Sequence, residues 1–80
     1  MEIPQFNELI RDRLSSLLDI EPNEIQEDVT LDSMGVDSMM RLELIAYVEQ
    51  LVERELPEKD LLDLVTIRHI VNYVAALQKS

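Results

Sequence analysis

The sequence predicts an all-α fold: a small bundle of three main helices plus one short helix, with a long loop between helices one and two. Two observations support this prediction. Apolar residues recur at helical spacing in three segments, and no segment alternates apolar with polar residues as a strand would. The chain has 80 residues and begins with Met, so it is expected to be complete and to form one domain over residues 1–80.

The first helix is predicted from a stripe of six apolar residues and should end near Asp19. The stripe consists of Phe6, Leu9, Ile10, Leu14, Leu17 and Leu18. From Ile20 to Val36 the periodicity stops, and Pro22 interrupts the chain. Four isolated apolar residues should anchor this loop to the core: Ile20, Ile25, Val29 and Leu31. Long connections are uncommon in compact domains and are often functional.

A second amphipathic helix is predicted from about Ser38 to Glu55. Its inward residues should be Leu42, Ile45, Val48 and Val52, and its wetter faces should hold Glu43, Glu49 and Glu53. Pro57 then interrupts the helix, and residues 58–64 are long enough for one or two further turns. Thr66 is predicted to cap the last helix, whose apolar face comprises Ile67, Ile70, Val71, Val74 and Leu77.

The composition excludes several classes of function. Seventeen acidic residues against seven basic ones give a formal charge of −10, which repels nucleic acid and anionic membrane surfaces and favours basic protein partners. No apolar stretch is long enough to span a membrane. Because the chain has no Cys, disulfides, thiol catalysis and thiolate metal sites are excluded, and a cytoplasmic location is expected.

The loop between the first two helices is acidic throughout. Seven acids and no Lys or Arg lie between Asp19 and Met40: Asp19, Glu21, Glu24, Glu27, Asp28, Asp32 and Asp37. Such a run is typical of a solvated loop, and it also suits a docking surface for a basic partner. Both interpretations remain open from the sequence.

Neither a metal site nor a catalytic set is predicted. Asp28, Thr30 and Asp32 have the alternate spacing that opens a calcium loop, but Ser33 stands where that loop requires Gly, and Met39 stands where its closing acid belongs. His69 has no acidic or Cys partner at ligand spacing and is expected to be a boundary residue. The sequence shows no nucleophile paired with a base, no pair of catalytic carboxylates and no Gly-rich loop that binds phosphate. The protein is therefore expected not to be an enzyme.

Ser38, at the predicted start of helix two, is the main candidate site. Asp37 can accept hydrogen bonds from the first amides of the helix, and its charge suits the positive end of the helix dipole. The Ser38 hydroxyl then lies near free backbone amides, where a phosphate ester is favoured. Gly35, the only Gly, can supply an unusual backbone angle before the helix. Taken alone, Asp-Ser before a helix is also an ordinary cap.

An internal repeat makes the tripeptide itself ambiguous. Asp32-Ser33-Met34 precedes Asp37-Ser38-Met39 by five residues, so the tripeptide cannot identify the site. Ser33 still lies in the loop, whereas Ser38 is followed by the helical pattern. Only Ser38 is therefore predicted to lie at a helix N-terminus.

The order of these elements resembles the acyl carrier protein family, of the discrete stand-alone type, over nearly the whole chain. The resemblance rests on the motif Gly35-Val36-Asp37-Ser38-Met39 between an acidic loop and an amphipathic helix. In that family the serine of Gly-x-Asp-Ser-Leu carries 4′-phosphopantetheine, transferred from coenzyme A, whose thiol holds the cargo as a thioester. The resemblance implies this role for Ser38, with Asp37 beside it as the helix cap.

The resemblance also implies the partners. They are a phosphopantetheinyl transferase, which attaches the arm, and acyltransferase, ligase or synthase enzymes that dock transiently on a monomeric carrier. The expected partner face consists of Asp37, Met39, Met40, Glu43 and Tyr47. No nucleic acid and no membrane is expected among the partners.

Residues after Ser38 depart from the family pattern. Met39 stands where the family usually has Leu, and Met40 and Arg41 stand where fatty-acid members are heavily acidic. Two adjacent Met side chains cannot both face the core of one helix, so at least one should be exposed as an adaptable apolar contact. These departures favour specialised polyketide-type biosynthesis or aminoacyl carriage. A housekeeping fatty-acid carrier, a D-alanyl carrier and an acidic helical interaction module without a prosthetic group are the alternatives.

Overall fold

A computed structural model describes residues 2–79 as a bundle of helices. They are α1 (Ile3–Leu18), α2 (Ser38–Val52), α3 (Glu58–Leu61) and α4 (Ile67–Lys79), with two short 3-10 turns between α1 and α2. Over these residues the only β-type pairing is an isolated bridge between Thr30 and Thr66. The predicted all-α fold, with three main helices, one short helix and a long loop, is confirmed. In the same range no helix has both the length and the apolar character needed to cross a membrane.

The first helix ends where the sequence predicts. Asp19 adopts a left-handed conformation, with φ 57° and ψ 46°, and its backbone N–H donates to the Ser15 carbonyl. Three residues of the predicted stripe, Phe6, Ile10 and Leu14, are buried; the other three are half-buried, and of these Leu18 packs against the core. The stripe therefore sets which side of α1 faces inward.

The core lies between α1, α2, α4 and the loop. Its buried apolar residues are Phe6, Ile10, Leu14, Ile25, Leu31, Val36, Leu44, Ile45, Val48, Leu56, Leu64, Ile67, Ile70, Val71 and Val74. Two predicted loop anchors, Ile25 and Leu31, are buried, and Ile20 packs against the core from its edge. The fourth, Val29, is half-buried and lies outside this cluster, so its predicted anchoring role is wrong.

The predicted inward face of α2 is partly wrong. Leu42 is 65% exposed, whereas Leu44, which the prediction omits, is fully buried. Residues two apart on a helix point about 200° from each other, so only one of these leucines can face the core. Ile45 and Val48 are buried and Val52 is half-buried, in agreement with the prediction.

The second helix also ends earlier than predicted. It stops at Val52 because Glu53 adopts a left-handed conformation with φ 58°, and the Glu53 N–H donates to the Glu49 carbonyl. The predicted end at Glu55, based on Pro57, is wrong. Glu49 is half-buried, and its carboxylate accepts a 2.8 Å hydrogen bond from the Leu56 backbone N–H.

The short and last helices agree with the prediction. α3 begins directly after Pro57, and its four residues make a single turn. The Thr66 hydroxyl oxygen accepts a 3.1 Å hydrogen bond from the His69 backbone N–H, which confirms Thr66 as the cap of α4. Of the predicted apolar face of α4, Leu77 is half-buried and the other members are buried.

Candidate functional site

The loop before α2 turns sharply at Gly35. This residue has φ 96°, in the left-handed region that favours Gly, and its N–H donates to the Asp32 carbonyl over 3.1 Å. Val36 follows and is buried, and its N–H donates to the Leu31 carbonyl over 3.1 Å. The burial of Val36 fixes the direction from which the chain enters α2.

Asp37 caps α2, as predicted. Its carboxylate oxygen Oδ1 accepts a 2.9 Å hydrogen bond from the Met40 N–H, and its backbone carbonyl accepts from the Arg41 N–H. Ser38 and Met39 belong to the first turn, whose amides have no acceptors within the helix itself. The cap therefore holds the first turn in place and leaves these two amides for another acceptor.

Ser38 is the first residue of α2 and is exposed. Among residues 2–79 no group forms a hydrogen bond with its hydroxyl, so the oxygen is accessible for esterification. The duplicate serine differs: Ser33 lies in the 3-10 turn Asp32–Met34, and its hydroxyl oxygen accepts a 2.7 Å hydrogen bond from the Thr30 hydroxyl. The structure thus agrees with the prediction that only Ser38 lies at the N-terminus of an α-helix.

Most acids of the loop bond within the protein. Glu21 and Glu24 form a reciprocal capping box around the turn Pro22–Glu24. Glu27 and Asp28 both pair with Arg68 of α4. With Asp37 capping α2, five of the seven acids bond within the protein and help to hold the loop in place, while six of the seven remain exposed to solvent.

Glu27 is the centre of a polar network that joins α1, the loop and α4. Its carboxylate accepts a hydrogen bond from the Asn7 side-chain amide and pairs with Arg11 and Arg68, each at 3.3 Å. The hydrogen bond from Asn7, followed by the contacts with the two arginines, holds the pKa of Glu27 below its usual 4.5 despite partial burial. Arg11 also donates to the Ile25 carbonyl. The network fixes the loop that leads to Ser38.

The five residues of the predicted partner face differ in exposure. Met39 is 68% exposed and Met40 is half-buried against the core, so the prediction that one of the two is exposed is confirmed. Asp37 and Glu43 are exposed. Tyr47 is half-buried, with the Arg13 guanidinium 4.1 Å from its ring centre, and it therefore presents only part of its ring.

Sequence reasoning missed three apolar residues that are exposed besides Met39. Leu42 on α2 is exposed, as are Leu62 and Val65 after α3. A signal was present for Leu62: Leu61 ends the single turn of α3, Leu62 and Leu64 follow it, and the three cannot all face inward.

Arg41 lies away from the exposed face of α2. It is half-buried, and its guanidinium Nη2 donates a 2.6 Å hydrogen bond to the Leu61 carbonyl of α3. It lines a cleft of about 340 Å³ together with Thr30, Leu31, Asp32 and Val65. The cleft adjoins the first turns of α2, where Ser38 lies.

Similarity to known proteins agrees with this architecture. Residues 8–74 match the family model described as phosphopantetheine attachment site. An acyl carrier protein of Streptomyces coelicolor is 37% identical over 73 residues, which cover 89% of this chain and 79% of that protein. A non-reducing polyketide synthase of Monascus ruber is 28% identical over 71 residues, and the chain spans only 3% of its length.

A solved structure shares the fold over nearly the whole chain. It is a free-standing peptidyl carrier protein from a secondary metabolic pathway of Acinetobacter baumannii, with a TM-score of 0.83, 26% identity and 96% of each chain covered. Proteins of this family are carriers, not catalysts, and their cofactor is 4′-phosphopantetheine attached covalently. The family model covers most of the chain, and this protein therefore belongs to the phosphopantetheine-attachment family of carrier proteins.

Proposed function

We propose that Ser38 carries the 4′-phosphopantetheine arm and that the chain delivers an acyl or aminoacyl intermediate to partner enzymes. The observation that best supports this is the exposed hydroxyl of Ser38 at the capped start of α2, which forms no hydrogen bond within the described part of the chain. A phosphate ester at this oxygen is next to the free amides of the first turn and the positive end of the helix dipole. The arm, when bound, supplies the thiol that holds the cargo as a thioester.

The residues around Ser38 have positioning roles in this proposal. Gly35 and Val36 set the approach of the chain, and Asp37 holds the first turn through the Met40 amide. Because the core and the Glu27 network fix both ends of this segment, the attachment oxygen stays exposed to a phosphopantetheinyl transferase. None of these residues needs to take part in bond making.

Partner enzymes are proposed to dock on the exposed face at the start of α2. Met39 and Leu42 are both largely exposed, and Glu43 and Asp37 add negative charge beside them. The flexible thioether side chain of Met39 can adapt to different surfaces, which suits a carrier that visits several enzymes. Tethering the cargo raises its effective concentration at each enzyme, so every docking event can be weak and short-lived.

Specialised biosynthesis of polyketide type is the proposed setting, with a monomeric carrier of one domain over residues 1–80 in the cytoplasm. The similarity to the Monascus ruber synthase and the apolar face at Met39 support this setting. Fatty-acid carriage and D-alanyl carriage are the alternatives within the same family, and the similarity to the Streptomyces coelicolor acyl carrier protein supports an acyl cargo.

Loading with coenzyme A tests the proposed attachment residue. The protein is incubated with coenzyme A and a promiscuous phosphopantetheinyl transferase, and intact-protein and tandem mass spectrometry locate the added group. We expect wild type and Ser33→Ala to gain one arm, and Ser38→Ala to gain none. A folded wild type that gains no mass would favour the interaction module, and modification at Ser33 would refute the assignment of Ser38.

A further inference from the structure

Arg41 is a half-buried cation that pairs with no acidic group of residues 2–79. Residues 2–79 contain one other half-buried arginine, Arg11, which forms an ion pair with Glu27 at 3.3 Å. Arg41 forms no ion pair within the same range, although the chain has 17 acids and a net charge of −10. Within residues 2–79 its side chain makes one hydrogen bond, to the Leu61 carbonyl.

The position of Arg41 relates it to Ser38. Residues three apart on a helix are neighbours on its surface, with Cβ atoms about 5 to 6 Å apart, so the two side chains start from the same side of α2. Helical side chains also lean toward the N-terminus, which is the turn that contains Ser38. Arg41, which lines the cleft of about 340 Å³, is therefore one helical turn from the proposed attachment point.

The chemistry of the guanidinium favours an anion with two oxygens. Arginine offers five N–H donors in a planar fork, and the bond to Leu61 takes one donor on Nη2. The remaining donors match the paired oxygens of a carboxylate or phosphate. Because Arg41 is partly buried, salt screens its attraction to an anion less than it would at an exposed site. Asp32 lines the same cleft and repels an anion, so binding is confined to the Arg41 side.

We propose that Arg41 binds an anionic group carried on the arm. The group is either the phosphodiester that links the arm to Ser38 or a carboxylate on the cargo, and both present the same pair of oxygens to the guanidinium. This inference rests on the proposed function, because Ser38 must be the attachment residue. It adds a holding site for the arm or cargo that includes the half-buried side of α2.

Arginine side-chain NMR tests the proposal in four states of the wild-type protein. The Nε–H signals of 15N-labelled protein are recorded in the apo form, with the bare arm, and with the arm loaded with an acetyl or a malonyl group. The last two differ by one carboxylate. The Arg41 signal is assigned from its loss in Arg41→Gln, and Arg54, beyond the far end of α2, provides the reference signal.

The expected result is a shift of the Arg41 signal and slower exchange of its proton with water, while Arg54 is unchanged. A shift on attachment of the bare arm identifies the phosphodiester. A shift with malonyl and not with acetyl identifies a cargo carboxylate. An Arg41 signal that stays constant in all four states would overturn the proposal.

Mass spectrometry of each sample separates the two possible failures. Absence of loading at Ser38 refutes the proposed function, whereas full loading with a constant Arg41 signal refutes only the role of Arg41. A further experiment compares wild type with Arg41→Lys, which keeps the charge but loses the planar fork. If the phosphodiester is the bound group, we expect its 31P chemical shift to differ between the two loaded proteins. An equal 31P shift in both would show that Arg41 does not contact the phosphodiester.

Discussion

The Tyr73 hydroxyl of α4 donates a 2.5 Å hydrogen bond to the Asp60 carboxylate of α3. On the α2 side, Arg41 donates to the carbonyl of the next residue, Leu61. A helix of four residues is too short to be stable alone, so its position depends on such contacts and on the burial of Leu64 after it. The short helix is thus held from both α2 and α4.

Replacing Tyr73 with Phe should loosen α3. We expect Tyr73→Phe to lower the free energy of unfolding by about 1 kcal/mol, because it removes one hydrogen bond to a half-buried carboxylate. Urea denaturation followed by circular dichroism measures the change. His69→Ala provides a control on the same helix, since the His69 side chain is exposed. Equal stability of wild type and Tyr73→Phe would show that the bond does not hold α3.

The same bond predicts a stability loss in alkaline solution. The hydrogen bond to Asp60 is the largest of the effects, with burial and the charge of Asp60, that raise the pKa of Tyr73 above its usual 10.0. A group with a raised folded-state pKa stabilises the fold fully below its unfolded pKa, and this contribution is lost as the pH rises through the folded value. As the pH rises above 10, the melting temperature of wild type should therefore fall more steeply than that of Tyr73→Phe.

The contacts of Glu27 predict a loss of stability in acid rather than in alkaline solution. Its folded pKa lies below 4.5, so its contribution is present above 4.5 and is lost as the pH falls through the folded value. We expect Glu27→Gln to cost about 1 kcal/mol at neutral pH, given its partly exposed ion pairs and its hydrogen bond from Asn7. The cost should vanish once wild-type Glu27 is protonated.

Urea denaturation at neutral and acidic pH measures this difference. Glu43→Gln is the matched control, because Glu43 lies exposed on α2. A cost for Glu27→Gln that is the same at both pH values would show that its charge has no part in holding the loop.

The sequence predicts α1 and α4 well because each has one clear apolar face. It predicts the face of α2 less well, since Leu42, Leu44 and Ile45 are all apolar and point in different directions. Only tertiary packing, chiefly against α1, decides between Leu42 and Leu44. The left-handed Glu53 that ends α2 is not Gly, so the sequence contains no local signal for it.

The position of the candidate site was predictable from local features. Gly35 and Asp37 act within one turn of the chain, and their conformational and capping roles follow from backbone and capping preferences; Ser38 is then the first residue of α2. The contacts of Arg41 with Leu61 and of Tyr73 with Asp60 join different helices. These contacts depend on how the helices pack, and no sequence pattern predicts the distance between the helices.

Two leucines of α2 offer a direct test of the observed helix face. Leu44→Ala should cost about 2 to 5 kcal/mol because it leaves a cavity in the core. Leu42→Ala removes the same atoms from an exposed position and should change the free energy of unfolding by less than about 0.5 kcal/mol. Urea titration of both variants measures the costs. Equal costs would contradict the orientation of α2.

The exposed Met39 tests the proposed docking face. Met39→Glu places a charge at the apolar contact, and we expect it to lower kcat/KM for cargo transfer from the loading enzyme by roughly tenfold, the effect of losing about 1.4 kcal/mol at an interface. Because Met39 is 68% exposed, the thermal melt should stay close to that of wild type. Gln50→Glu, exposed near the other end of α2, adds the same charge away from Ser38 and should leave transfer unchanged. If both variants slow transfer equally, added negative charge alone explains the loss; if neither does, partners dock elsewhere.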